Sequence, residues 1–96
     1  MFGWHIIKIA GASMEPEVPA GSFACFRRRA AYGSGDILLV KHPRYGTIVK
    51  QLVNETAAGI ALKGLSRHSV TSQAMGRVPK GAIMGKLAWL SAPAKR

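Results

Sequence analysis

A serine hydroxyl attacks a carbonyl carbon only when a nearby base takes its proton. Ser13 is the serine whose setting suits that work. The segment Gly11-Ala12-Ser13-Met14-Glu15-Pro16 reads as a loop, because Pro16 turns Glu15 away from helical angles. Histidine is the common base, held by a carboxylate. Asp36 and His42 lie six apart along an extended segment, too far for an Asp–His hydrogen bond, so a Ser-His-Asp triad is not expected. Lysine is the other base available, provided that it is neutral near pH 7. Its ordinary pKa of about 10.4 falls only on burial in apolar surroundings. In Thr47-Ile48-Val49-Lys50-Gln51-Leu52-Val53, strand alternation places Lys50 on one face with Ile48 and Leu52. A lysine between two large aliphatics is where desolvation acts. Period two does not say which face is inside. The opposite reading turns Val49, Gln51 and Val53 to the core and Lys50 to water. Lys8 and Lys41 stand near strand ends, and Lys63, Lys80 and Lys86 adjoin glycine, so none of them matches this setting.

The elements that must position these residues are short and extended. Residues 4–10 read as an apolar first strand, Pro19-Ala20-Gly21 as a turn and Ser22 to Arg28 as a second strand. Ile37-Leu38-Leu39-Val40-Lys41 is a continuous apolar run, consistent with a buried strand. Thr47 to Val53 follows, with a reversal over Asn54 to Gly59, then a strand at Ile60 to Lys63 and a closing strand from Ile83 to Leu90. Residues 65–80 are polar and turn-rich, with one helical turn near Ser72-Gln73-Ala74-Met75, and Ser91 to Arg96 form a loose basic tail. Six short strands between Gly/Pro turns predict a mainly β fold, and 96 residues predict one domain over 1–96.

Fourteen Lys and Arg oppose four acids, Glu15, Glu17, Asp36 and Glu55, for a net charge of +10. Such a surface attracts polyanions: nucleic acid, anionic lipid or an acidic protein. The basic residues are scattered apart from Arg27-Arg28-Arg29, which favours a generally solvated basic face. The single cysteine, Cys25, lies in Phe23-Ala24-Cys25-Phe26 and reads as a small buried hydrophobe. His5, His42 and His68 show no metal-ligand spacing, so neither a metal nor a cofactor is expected. The N-terminus has no signal-peptide pattern, and no run reaches the roughly 18 apolar residues of a membrane helix, so a soluble, cytoplasmic protein is expected. The first strand is expected to pack on the core. Its other use is a peripheral membrane contact through Phe2, Trp4 and Ile6.

The ordered segments resemble the Ser-Lys peptidases that include type I signal peptidases and self-cleaving LexA-type repressors. Gly11 to Ser22 resembles the Ser-Met-x-Pro box, and Gly35-Asp36-Ile37-Leu38-Leu39-Val40 the Gly-Asp-apolar strand that follows it. Ile48-Val49-Lys50-Gln51-Leu52-Val53 resembles the box holding the general base. Gly64 to Gln73 resembles a worn fourth box, and Met75 to Lys86 the closing Gly-x-Val…Ile-x-Gly-Lys segment. The short form and the His42-Pro43 strand end are most similar to small maturation proteases such as those trimming the nickel superoxide dismutase precursor. The resemblance implies a curled antiparallel sheet with the site at one edge, Ser13 as nucleophile and Lys50 as base. It further implies a protein substrate bound as an extended strand, Met14 and Ile9 lining shallow pockets, and Ser69 and Ser72 orienting the lysine. Ser22, Gln51, Leu65-Ser66 and Thr71 depart from the family's Asp, Arg, Asp-Asn and Asp. Gly11 stands where many signal peptidases carry an oxyanion serine, which leaves the backbone N–H of Ser13 for that task.

A different class of function is a non-catalytic basic β-domain that binds nucleic acid or an acidic protein. Tyr32 and Tyr45, near Arg27–Arg29 and Arg44, would then serve as stacking platforms for single strands. A third is a degenerate peptidase fold kept as a binding module.

Overall fold

The computed structural model describes residues 3–10, 14–65 and 76–91. Six strands follow one another: β1 (Trp4–Lys8), β2 (Phe23–Arg27), β3 (Ile37–His42), β4 (Gly46–Thr56), β5 (Gly59–Lys63) and β6 (Ile83–Ser91). They form one antiparallel sheet in the order β1-β2-β6-β3-β4-β5. The expected mainly β fold is therefore the observed one.

The apolar run of β3 is buried on both faces of the sheet. Leu38 and Val40 join Leu52, Ile60, Leu62 and Val78 in one cluster. Leu39 points the opposite way, into a second cluster with Ile9, Met14, Val18, Ala24 and Phe26. The chain between β1 and β2 roofs that second cluster with Met14 and Val18. Register shifts opposite Cys25/Phe26 and Leu39/Val40 leave Ala88 and Met84 as extra residues in β6, and a shift at Leu52/Asn54 leaves Val53 extra in β4, so β6 and β4 bend.

Several elements differ from the sequence reading. β4 runs on to Thr56, past the expected end at Val53. The shift at Leu52/Asn54 absorbs a residue and lets Asn54, Glu55 and Thr56 pair with Ala61, Ile60 and Gly59. The reversal then shrinks to Ala57-Ala58. A 3₁₀ turn at Lys80–Ala82, not anticipated, leads into β6. The ladder of β1 ends at Lys8, but Ile9 still donates its N–H to Ser22 and accepts from Gly21 through its carbonyl, each at 2.8 Å. The helical turn expected near residues 72–75 and all but the first residue of the 91–96 tail lie outside the described residues.

Two burial expectations also change. Cys25 is only half-buried, because β2 sends Ala24 and Phe26 to the core and Cys25 to the other face. β1 packs on the core through Ile7, whereas Trp4 and Ile6 face outward. Among the described residues no helix is long and apolar enough to cross a membrane.

Candidate active site

Lys50 lies in the middle of β4, directly across from Leu38 of β3. Ile48 and Leu52 flank it on the same side of the strand. Lys50 is 6% exposed and Leu52 2%. The face that carries the lysine is thus turned inward. Val49, on the other face, packs against the second cluster, so β4 is covered on both sides there. Burial lowers the Lys50 pKa from the ordinary lysine value. Neither ion pair among the described residues includes it: these are Lys80–Glu55 at 3.8 Å and Lys86–Asp36 at 3.6 Å.

A cleft of about 260 Å³ opens beside Lys50. Ile7, Lys8, Ile9, Ala10 and Met14 border it on one side, and Thr47, Ile48, Val49 and Lys50 on the other. β1 and β4 are not neighbours in the sheet; β2, β6 and β3 stand between them. Only a curled sheet brings the end of β1 to the middle of β4. Curling thus creates the cleft from two elements that pair with neither each other nor a common strand.

The loop that follows residue 13 is held by its own polar groups. Val18 donates its N–H to the Met14 carbonyl at 2.8 Å, and Ala20 donates its N–H to Glu15 Oε2 at 3.2 Å. Glu15 thereby ties the loop closed. Ser22 is fully buried and its hydroxyl donates to the Pro19 carbonyl. A serine thereby closes this turn where the family carries Asp. Gln51, where the family carries Arg, donates Nε2–H to the Gly35 carbonyl at 3.0 Å and anchors the approach to β3.

Of the residues singled out in the sequence, the structure brings together Lys50, Ile9 and Met14. Ser13, Gly11, Ser69 and Ser72 lie outside the described residues. Met14, which follows Ser13 in the chain, is buried and borders the lysine's cleft. Ile7, Ala10, Thr47 and Val49 also border the cleft and were not anticipated. Alternation along β1 puts Ile7 with Ile9, which is the signal that would have found it. Asp36 and His42 fall at opposite ends of β3, as the triad argument required. His42 is buried, and its Nδ1 accepts the N–H groups of Arg44 and Tyr45 at 3.0 and 3.2 Å, so the ring closes the β3–β4 turn.

The stacking role considered for Tyr32 is not supported by its position. The ring packs against the first core cluster, and burial together with a hydrogen bond to the Glu55 carboxylate raises its phenol pKa above the ordinary value. Tyr45 is exposed but lies tilted against the His42 ring, with centroids 4.8 Å apart.

The sequence profile of the family described as Peptidase S24-like matches residues 4–87. No curated protein matches the chain.

Proposed function

The chain belongs to the Peptidase S24-like family, made up mainly of serine peptidases, and from that premise we propose that it is a serine endopeptidase with Ser13 as nucleophile and Lys50 as general base. Its task is limited proteolysis or the maturation of a precursor protein. The observation that carries this reading is Lys50 itself, buried beside a cleft with its pKa lowered by desolvation alone.

Neutral Lys50 takes the hydroxyl proton of Ser13 as Oγ attacks the substrate carbonyl. The backbone N–H of Ser13 supports the oxyanion. Protonated Lys50 then hands its proton to the leaving amine, and an acyl-enzyme forms. Water, deprotonated by Lys50, releases the acid. Ser69 and Ser72 are the candidates for orienting the amine.

The main chain of β1 supports an extended substrate. Ile9 directs both its N–H and its carbonyl toward the β2 side. Lys8 and Ala10 must then direct theirs to the open edge, along the cleft, where a peptide strand can pair. Ile9 and Met14 offer an apolar surface with room for small side chains beside the cut bond.

Cleavage is best read with the purified protein and a library of extended peptides, analysed by mass spectrometry. Ser13→Ala is expected to lower cleavage at least about a thousandfold. Cleavage that persists in Ser13→Ala would remove the mechanism. The pH profile adds a second test. The active form carries neutral Lys50, so kcat/KM rises with pH through the lysine's folded-state pKa. Burial lowers that pKa, so the rise falls below the roughly pH 10.4 of an ordinary lysine. A midpoint at or above the ordinary lysine value contradicts Lys50 as base.

A further inference from the structure

The outer face of β1, β2 and β6 is apolar, exposed and basic at its borders. In register, Ile6, Cys25 and Trp89 stand abreast across the three strands. Trp4 and Arg27 form the next rank on one side, and Lys8 and Phe23 the rank on the other. Ile6 is 67% exposed and Trp89 61%, with Phe23 and Trp4 also exposed. These are the large apolar side chains a protein buries first, yet they form one contiguous face in water.

Each flanking rank joins an aromatic ring to a cation. Arg27 Cζ lies 5.9 Å from the Trp4 ring centre, and Lys8 Nζ lies 6.0 Å from that of Phe23. Arg28 and Arg29 extend the cationic border beyond the end of β2, and Lys86 pairs in register with Arg27. None of the three strands contains Asp or Glu. Of the four acids, Asp36 approaches this face through its ion pair with Lys86.

We propose that this face, centred on Ile6, Cys25 and Trp89, docks the protein on an anionic lipid surface. Tryptophan, with an apolar body and a polar N–H, belongs at the boundary of headgroups and acyl chains. Lysine and arginine at the border lay their stems on the apolar rank and present their charges to lipid phosphates. The net charge of +10 acts in the same direction. A second copy of the chain fits less well, because a face meeting its own image brings the basic borders together. The apolar wall of the cleft stays clear of the docked face, since Ile7 and Ile9 turn to the other side of β1 from Ile6. The proposal is independent of the peptidase reading.

The test is flotation of the whole chain with vesicles of phosphatidylcholine alone and of phosphatidylcholine mixed with phosphatidylglycerol. At low salt, partition into the anionic vesicles is expected to exceed that into the neutral ones by about tenfold or more, and to fall as salt rises. Bromine-labelled acyl chains should quench the tryptophan emission of the unmodified protein. The double variant Ile6→Glu/Trp89→Glu changes solvent-exposed positions only and should lower partition by about tenfold or more. Ser13→Ala should bind as the wild type does, which separates this result from the outcome of the cleavage assay. The proposal is overturned if the chain does not float, if bromolipids leave its emission unchanged, or if the double variant binds equally well. It is also overturned if sedimentation shows a dimer that the double variant abolishes while vesicles bind neither form.

Discussion

Lys50→Met is expected to lower peptide cleavage by about a thousandfold or more while making the fold more stable, by on the order of 1 kcal/mol. The two effects have one origin. An ammonium group beside Ile48, Leu52 and Leu38 has lost hydration that no carboxylate among the described residues restores. Methionine fills a similar volume without that cost. The sign of the pH dependence follows. The folded-state pKa of Lys50 is lowered, so the unfolded chain binds more protons between the folded and unfolded values. The destabilisation is absent above the unfolded pKa, grows as pH falls and is complete below the folded pKa. The stability gain of Lys50→Met should therefore be largest at neutral and acidic pH and vanish above about pH 10.4. Lys50→Arg should lose activity equally and lose stability as well, because a guanidinium cannot shed its proton. Urea melts across pH, run beside the cleavage assay, decide the matter. A Lys50→Met protein less stable than wild type at neutral pH would mean that the lysine supports the fold and is not an imposed cost.

Gly59→Ala is the second large effect, and it falls on stability. Gly59 opens β5 at φ +121°, and a Cβ there would overlap the Val78 carbonyl oxygen. That oxygen accepts the Ile60 N–H at 2.7 Å, and the Val78 N–H returns a bond to Ile60 at 3.0 Å. Val78 is also a member of the first core cluster, so it cannot move aside without opening that cluster. Backbone strain and overpacking together place the loss at about 3–5 kcal/mol. Domains of this kind hold about 5–15 kcal/mol in all. Gly46→Ala is the control. Its φ is +77° with nothing within 4 Å of an added Cβ, so it should cost only about 1 kcal/mol. Equal losses for the two substitutions would show that conformation alone, and not the contact with Val78, sets the effect at Gly59.

Much of the fold was legible in the sequence because strands declare themselves by composition and by the Gly and Pro residues that end them. All six strands lie where the apolar runs and turns place them. What was not legible depends on tertiary context. Alternation in β4 left the orientation of Lys50 open, and only Leu38 opposite and the second cluster beneath Val49 resolve it. The same ambiguity misplaced Cys25, on the outer face of a strand whose other face holds Ala24 and Phe26. Tyr32 read as exposed because nothing local reports its packing on the first cluster or its bond to Glu55. The extension of β4 was hidden because a bulge resets the alternation that identifies a strand. The cleft was the least legible feature, since its two sides come from strands that do not pair.

The sheet order carries a consequence for biosynthesis. β6 is the last strand in the chain, yet it lies between β2 and β3. Before it emerges, a growing chain holds two separate pieces, the β1–β2 pair and the β3–β4–β5 meander. Ile9 and Met14 belong to the first piece and Lys50 to the second. The cleft between them is complete only once β6 joins the two pieces. The distant pairings that complete the sheet make this joining the slow step of folding.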